Sequence, residues 1–90
     1  MNTGIINYIF KKANNQDYLK IDYGSKSLEI PKRVLNYSIL NKGFYLELEN
    51  TAKKETYLIK TDSIDLITII EPKFKGMSWY DGKAKAKVGA

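Results

Sequence analysis

The segment Phe44-Tyr45-Leu46-Glu47-Leu48-Glu49 alternates strictly between two faces, and no other feature constrains the fold as strongly. Phe44, Leu46 and Leu48 share one side; Tyr45, Glu47 and Glu49 share the other. A period of two belongs to a half-buried strand, because successive side chains leave a pleated backbone in opposite directions. The polar run 50–55 and then Tyr57-Leu58-Ile59-Lys60 complete an expected hairpin. Tyr18 to Tyr23 alternates in the same way, with Leu19, Ile21 and Tyr23 inward. It is expected to pair with Ile5 to Lys11 across Ala13-Asn14-Asn15-Gln16, a turn-like run. Gly24-Ser25-Lys26-Ser27 forms a tight loop into a short strand at Leu28-Glu29-Ile30.

Three further segments complete the pattern. Pro31 suits a first helical position and Gly43 a helix stop, so a short helix is expected over 31–37, although Leu35, Tyr37 and Ile39 also alternate. Thr61-Asp62-Ser63-Ile64-Asp65 carries side chains that bond their own backbone, and one turn of 3₁₀ helix fits there. Leu66-Ile67-Thr68-Ile69-Ile70 reads as a fully buried, central strand, ended by Pro72. The expectation is a mostly β domain of about six short antiparallel strands in a small barrel or curled sheet. No internal repeat is legible.

Composition bounds the rest. Ninety residues make one domain, and 43% apolar residues are enough for a packed core. A chain of this size buries roughly 60–65% of its unfolded surface, so that core is modest. A secreted domain this small usually needs disulfides, and the sequence has no cysteine. The apolar run near the start is short, is interrupted by Asn7 and precedes rather than follows its lysines, unlike a signal peptide. These features together predict a cytoplasmic location. The abundance of Lys over Arg, with many Ile and Asn, suggests an AT-rich coding sequence such as that of a low-GC bacterium or its phage.

The net charge of +5 is unevenly placed. Ten basic and nine acidic residues in 1–72 leave that body at +1, whereas Lys73, Lys75, Lys83, Lys85 and Lys87 against Asp81 give 73–90 a charge of +4. The division expected is a β-rich domain over 1–72 and a basic tail over 73–90, extended or disordered on its own. Basic tails attract nucleic acid or acidic surfaces, and they also simply solubilise.

With no histidine and no cysteine, the commonest general base, the usual nucleophile–base pairs and most transition-metal sites are removed. Glu47 and Glu49 on an outward strand face read as a solvated face. The Gly24-Ser25-Lys26-Ser27 loop lacks the spacing of a phosphate loop. No catalytic residue, metal or cofactor is therefore expected, and the chain reads as a non-enzyme. Strand-face tyrosines beside lysines are more informative: Tyr8, Tyr18, Tyr45 and Tyr57 near Lys20 and Lys60 could stack bases and follow phosphates, or else serve cross-strand pairing or a homo-oligomer interface. The tail adds Trp79 and Tyr80, which are costly to leave in water, as a fold-back or docking element.

Ile30-Pro31-Lys32-Arg33-Val34, then Gly43, then Leu46-Glu47-Leu48-Glu49 resembles a stretch of the swapped-hairpin, AbrB-like DNA-binding family. The resemblance covers residues 30–49 alone. Ser38, Ile39 and Phe44 stand where the family has Leu-Gly and an acidic residue. It implies an intertwined dimer that contacts DNA through basic residues near the first hairpin, here Lys26, Lys32 and Arg33.

The leading expectation is a binding module for DNA or RNA using a β-sheet face and the basic tail. Its candidate residues are Lys20, Lys26, Lys32, Arg33, Tyr45, Lys60, Lys73, Lys75, Trp79, Lys83, Lys85 and Lys87. Two other classes stay open: a small phage or mobile-element protein that binds a bacterial host protein or a nucleotide-like signal, and a self-assembling structural subunit.

Overall fold

The first residues that form regular structure are helical. In the computed structural model, which describes residues 1–72, α1 spans Thr3–Lys12. This corrects the strand expected over Ile5 to Lys11. Asn2 caps the helix, its side-chain oxygen accepting from the Gly4 and Ile5 amides at 2.7 and 3.3 Å. Ile6 and Phe10, one turn apart, are completely buried, while Ile5 and Tyr8 face water. The alternation of Ile5, Asn7 and Ile9 imitates a strand, but the pair that reaches the core has helical spacing. Lys11 and Lys12 sit in the last turn, where cations complement the helix dipole.

Six antiparallel strands follow: β1 Tyr18–Tyr23, β2 Lys26–Pro31, β3 Leu35–Leu40, β4 Tyr45–Asn50, β5 Glu55–Lys60 and β6 Ile64–Ile70. The fold is mostly β with one short helix, as the alternation indicates. The strands form two three-stranded sheets, ordered β2-β1-β6 and β3-β4-β5, rather than a closed barrel. The β4–β5 hairpin pairs Leu46 with Ile59 and Leu48 with Tyr57. Leu46 and Leu48 are fully buried, but Phe44, expected on the same face, precedes the strand and is 61% exposed.

Two more expectations are corrected. The helix over 31–37 shrinks to a single 3₁₀ turn at Lys32–Val34, and β3 starts at Leu35. The alternation of Leu35, Tyr37 and Ile39 wins because a ladder with β4 buries those side chains, which a solvent-exposed helix would not. Pro31 ends an edge strand, where its missing N–H leaves no ladder bond unmade. Nor is β6 central: it lies at a sheet edge beside β1, with Ile64 and Ile67 buried and Leu66 exposed. The 3₁₀ turn expected after β5 is present at Thr61–Ser63.

The sheets reveal a repeat that the sequence hides. Tyr18 lies opposite Pro31 and Ile70; Tyr45 lies opposite Lys60 and Leu40. Leu19 lies opposite Ile30 and Ile69; Leu46 lies opposite Ile59 and Ile39. The hydrogen bonds that tie the 3₁₀ turns down also correspond. Lys32 donates its amide to Asp17 O at 2.9 Å as Thr61 does to Phe44 O at 3.0 Å, and Thr51 donates to Val34 O as Gly24 does to Ser63 O. Residues 17–40 and 44–70 are thus two copies of one unit related by an approximate two-fold, and each gives its last strand to the other's sheet. The β1–β2 turn has two residues where the β4–β5 turn has four, and a bulge shifts β6 at Asp22/Tyr23. These offsets erase the repeat from the linear sequence.

Helix α1 breaks this symmetry and fills the core between the sheets. Phe10 meets the Tyr37 ring edge-on, with centroids 4.5 Å apart, and the Tyr37 hydroxyl donates to Asn7 Oδ1 at 2.9 Å. The helix runs from the Thr61–Ser63 turn, where the Met1 ammonium donates to Thr61 O, to the Lys32–Val34 turn, where Lys32 Nζ donates to Ala13 O. The molecule therefore has two ends, named below by these turns.

The β3–β4 connection, Asn41–Gly43, has three consecutive left-handed residues, with φ of 51, 55 and 97°. Asparagine and glycine tolerate this region; lysine is strained there. Lys42→Gly should stabilise the fold by ~0.5–1 kcal/mol in urea unfolding. Gly43→Ala should do the opposite, since its new Cβ would lie 3.1 Å from Thr3 Cγ2 as well as in a left-handed conformation.

Candidate nucleic-acid interface

Three dibasic pairs, Lys11-Lys12, Lys32-Arg33 and Lys53-Lys54, are about twenty residues apart in sequence, and the topology gathers them at the Lys32–Val34 end. The first pair closes α1, whose C-cap carbonyl at Ala13 accepts from Lys32 Nζ at 3.3 Å. The second forms the 3₁₀ turn itself. The third lies on the β4–β5 turn, which reaches the same place because Thr51 bonds Val34 O through both its amide and its hydroxyl. Buried Asn50 shapes that turn by accepting from the Ala52 and Lys53 amides at 3.1 and 3.2 Å.

All of these cations except Lys32 are exposed. Lys32 is half-buried and held on the helix terminus, so its role includes joining the elements. Lys12 Nζ also lies 5.9 Å above the ring of Tyr8, which is on the helix and not on a strand face as expected. Against six cations this end holds Asp17, Glu55 and Glu71, a net of +3. Asp17 is buried and accepts from the Asn14 amide at 2.8 Å. The Tyr57 hydroxyl donates to Glu55, which raises its pKa above the usual value.

The outer sheet faces have a different balance. Lys20 is half-buried on the first sheet, in register between Glu29 and Thr68, with Asp22 next along its face. Tyr45, also half-buried, lies between Lys60 and Leu40 on the second sheet, and the same face carries Glu47 and Glu49. Each outer face therefore has two carboxylates and one lysine, and a phosphate backbone laid across either meets net negative charge. Tyr45 and Lys60 are cross-strand neighbours, but at the Thr61–Ser63 end.

Lys26 opens β2 while Lys32 and Arg33 follow it, so these three residues are separated by a strand of six residues, about 20 Å long. The structure does not bring together the set that the swapped-hairpin resemblance implies. Lys73, Lys75, Trp79, Lys83, Lys85 and Lys87 lie outside the described residues. Their point of departure does not: Ile70 is opposite Tyr18, so the chain leaves β6 at the basic end.

Sequence reasoning singled out Lys32 and Arg33 but missed Lys11, Lys12, Lys53 and Lys54. The available signal was the recurrence of dibasic steps, which gains meaning once all three are placed at one end. The chemistry on offer is charge and hydrogen-bond donation. Among the described residues no group of three or more His, Cys, Asp or Glu could hold a metal ion, and no helix is long and apolar enough to cross a membrane. No protein-family model, no curated protein and no solved structure matches the chain.

Proposed function

We propose that this chain is a non-enzymatic nucleic-acid-binding module of the cytoplasm that meets the phosphate backbone with its Lys32–Val34 end. The convergence of three dibasic pairs where residues 73–90 begin is the observation that carries this reading. Residues 73–90 bring a further five lysines against one aspartate to a chain that leaves β6 at this end. The cations are lysines apart from Arg33, so bidentate recognition of guanine is limited to one side chain, and the binding reads phosphate more than base sequence.

The test is fluorescence anisotropy with labelled single-stranded DNA, single-stranded RNA and duplex DNA of mixed sequence, at about 50 and 200 mM salt. Full-length protein and a chain ending at residue 72 are compared. Both bind at low salt, the shorter one more weakly and with a shallower salt dependence. Absence of binding by both at low salt would refute the reading, and so would affinity that does not change with salt.

A further inference from the structure

The opposite end of the molecule holds a cleft of about 250 Å³, lined by Asn41, Phe44, Tyr45, Lys60 and Asp62. Its walls are locked. Buried Thr61 donates its hydroxyl to Gly43 O at 2.7 Å and its amide to Phe44 O at 3.0 Å, and its own carbonyl takes the Met1 ammonium. The left-handed run Asn41–Gly43 then delivers Phe44, 61% exposed, at the cleft's edge. Left-handed non-glycine residues persist where the surroundings hold them, and they concentrate at binding sites.

The internal two-fold supplies a control for what the fold itself requires. Asp17 occupies the position of Phe44 in the other copy, accepting the same backbone tie, so the fold does not need an aromatic there. The residue matching Lys60 is Pro31, and the one matching Asp62 is Arg33; Tyr45 keeps its type as Tyr18, and Asn41 as Asn14, whose carbonyl accepts from the Asp17 amide as that of Asn41 does from the Phe44 amide. Phe44, Lys60 and Asp62 are therefore particular to this end of the molecule. The cleft combines two aromatic rings, one ammonium, one carboxylate and one carboxamide.

That set matches the parts of one nucleotide. A nucleobase stacks on the exposed Phe44 ring with Tyr45 beside it. Lys60, cross-strand neighbour of Tyr45 and thus about 5 Å from it at Cβ, is placed for the phosphate. Asp62 accepts from sugar hydroxyls or a base amine, and the Asn41 amide can pair with a base edge. We infer that this cleft is a binding site for one nucleoside monophosphate. The inference is independent of the basic end, which shares no residue with it.

The test is amide NMR titration of the full chain with AMP and CMP, with adenosine and inorganic phosphate as separate arms. Expected are saturable shifts at Gly43 to Tyr45 and Lys60 to Ser63, with a Kd between about 10 µM and 1 mM, the range open to a small ligand on an exposed shelf. At least one nucleotide should bind about tenfold more tightly than adenosine or phosphate alone. Phe44→Ala should weaken it about tenfold, and Lys60→Ala should weaken the nucleotides while sparing adenosine. Both side chains are exposed, so unchanged amide spectra away from the cleft certify the fold. Lack of saturation at millimolar nucleotide overturns the inference. It is also overturned if shifts fall at the dibasic pairs instead, if phosphate alone reproduces the response, or if Phe44→Ala binds as the parent does. A variant lacking the exposed dibasic cations should keep this site, so failure here and failure of nucleic-acid binding are separately visible.

Discussion

Phe10→Ala should leave the domain largely unfolded near 37 °C, with a loss of about 3–5 kcal/mol in urea unfolding. Phe10 is completely buried, and its ring packs edge-on against Tyr37 at 4.5 Å. The substitution removes the largest fully buried side chain of the described residues, and no neighbouring strand can move in without breaking its ladder. A body of 72 described residues has a total stability of roughly 4–11 kcal/mol at typical values per residue. The loss is a large share of that. Tyr37→Phe keeps the ring and removes only the hydroxyl that donates to Asn7, so it should cost about 1 kcal/mol. A small effect of Phe10→Ala on the midpoint would mean that the helix is not part of the core.

The second large effect concerns binding. Replacing Lys11, Lys12, Arg33, Lys53 and Lys54 together by alanine should abolish the body's contribution to nucleic-acid affinity. Five phosphate contacts correspond to a log–log salt slope of about −4.5 on duplex DNA and about −3.5 on single strands. In the chain ending at residue 72, that dependence should vanish with the five side chains. In the full chain a shallower slope from the tail should remain. All five are exposed, and Lys32, which bonds Ala13 O, is left in place so that helix and turn stay joined. Lys20→Ala with Lys60→Ala, on the outer sheet faces, is the control and should change duplex affinity little. If the control pair removes as much affinity as the five, the contact surface is the sheets and not the end.

How far the sequence could lead is clear from particular elements. The strands β1, β4 and β5 were legible because each buries one face only, and a half-buried strand writes its geometry directly as alternation. Helix α1 was not, because branched isoleucines on both sides of Asn7 satisfy a strand pattern and a helical one at once, and only burial of Ile6 and Phe10 decides between them. The segment after Pro31 carried contradictory local signals, and a long-range ladder with β4 settled it. The basic end was half legible. Lys32-Arg33 stood out within the family resemblance, while the two other pairs acquire meaning only when folding puts them beside it. The cleft at the other end was illegible, since it joins a strained turn at 41–43 to residues 60–62 through bonds that no local pattern announces.

The exchange of final strands between the two halves governs how the chain can be made. β1 is complete once residue 23 has been synthesised, yet one of its two partners is β6, some forty residues later. Neither half has a finished sheet of its own, so an incomplete chain exposes strand edges and apolar faces for which no covering exists yet. Contacts this distant in sequence slow folding, because loop closure must precede the burial that offsets it. The β1–β2 hairpin can pair early, but its sheet stays incomplete until β6 has emerged. Cooperativity and vulnerability during biosynthesis thus share one origin, the crossing of β3 and β6 between the halves.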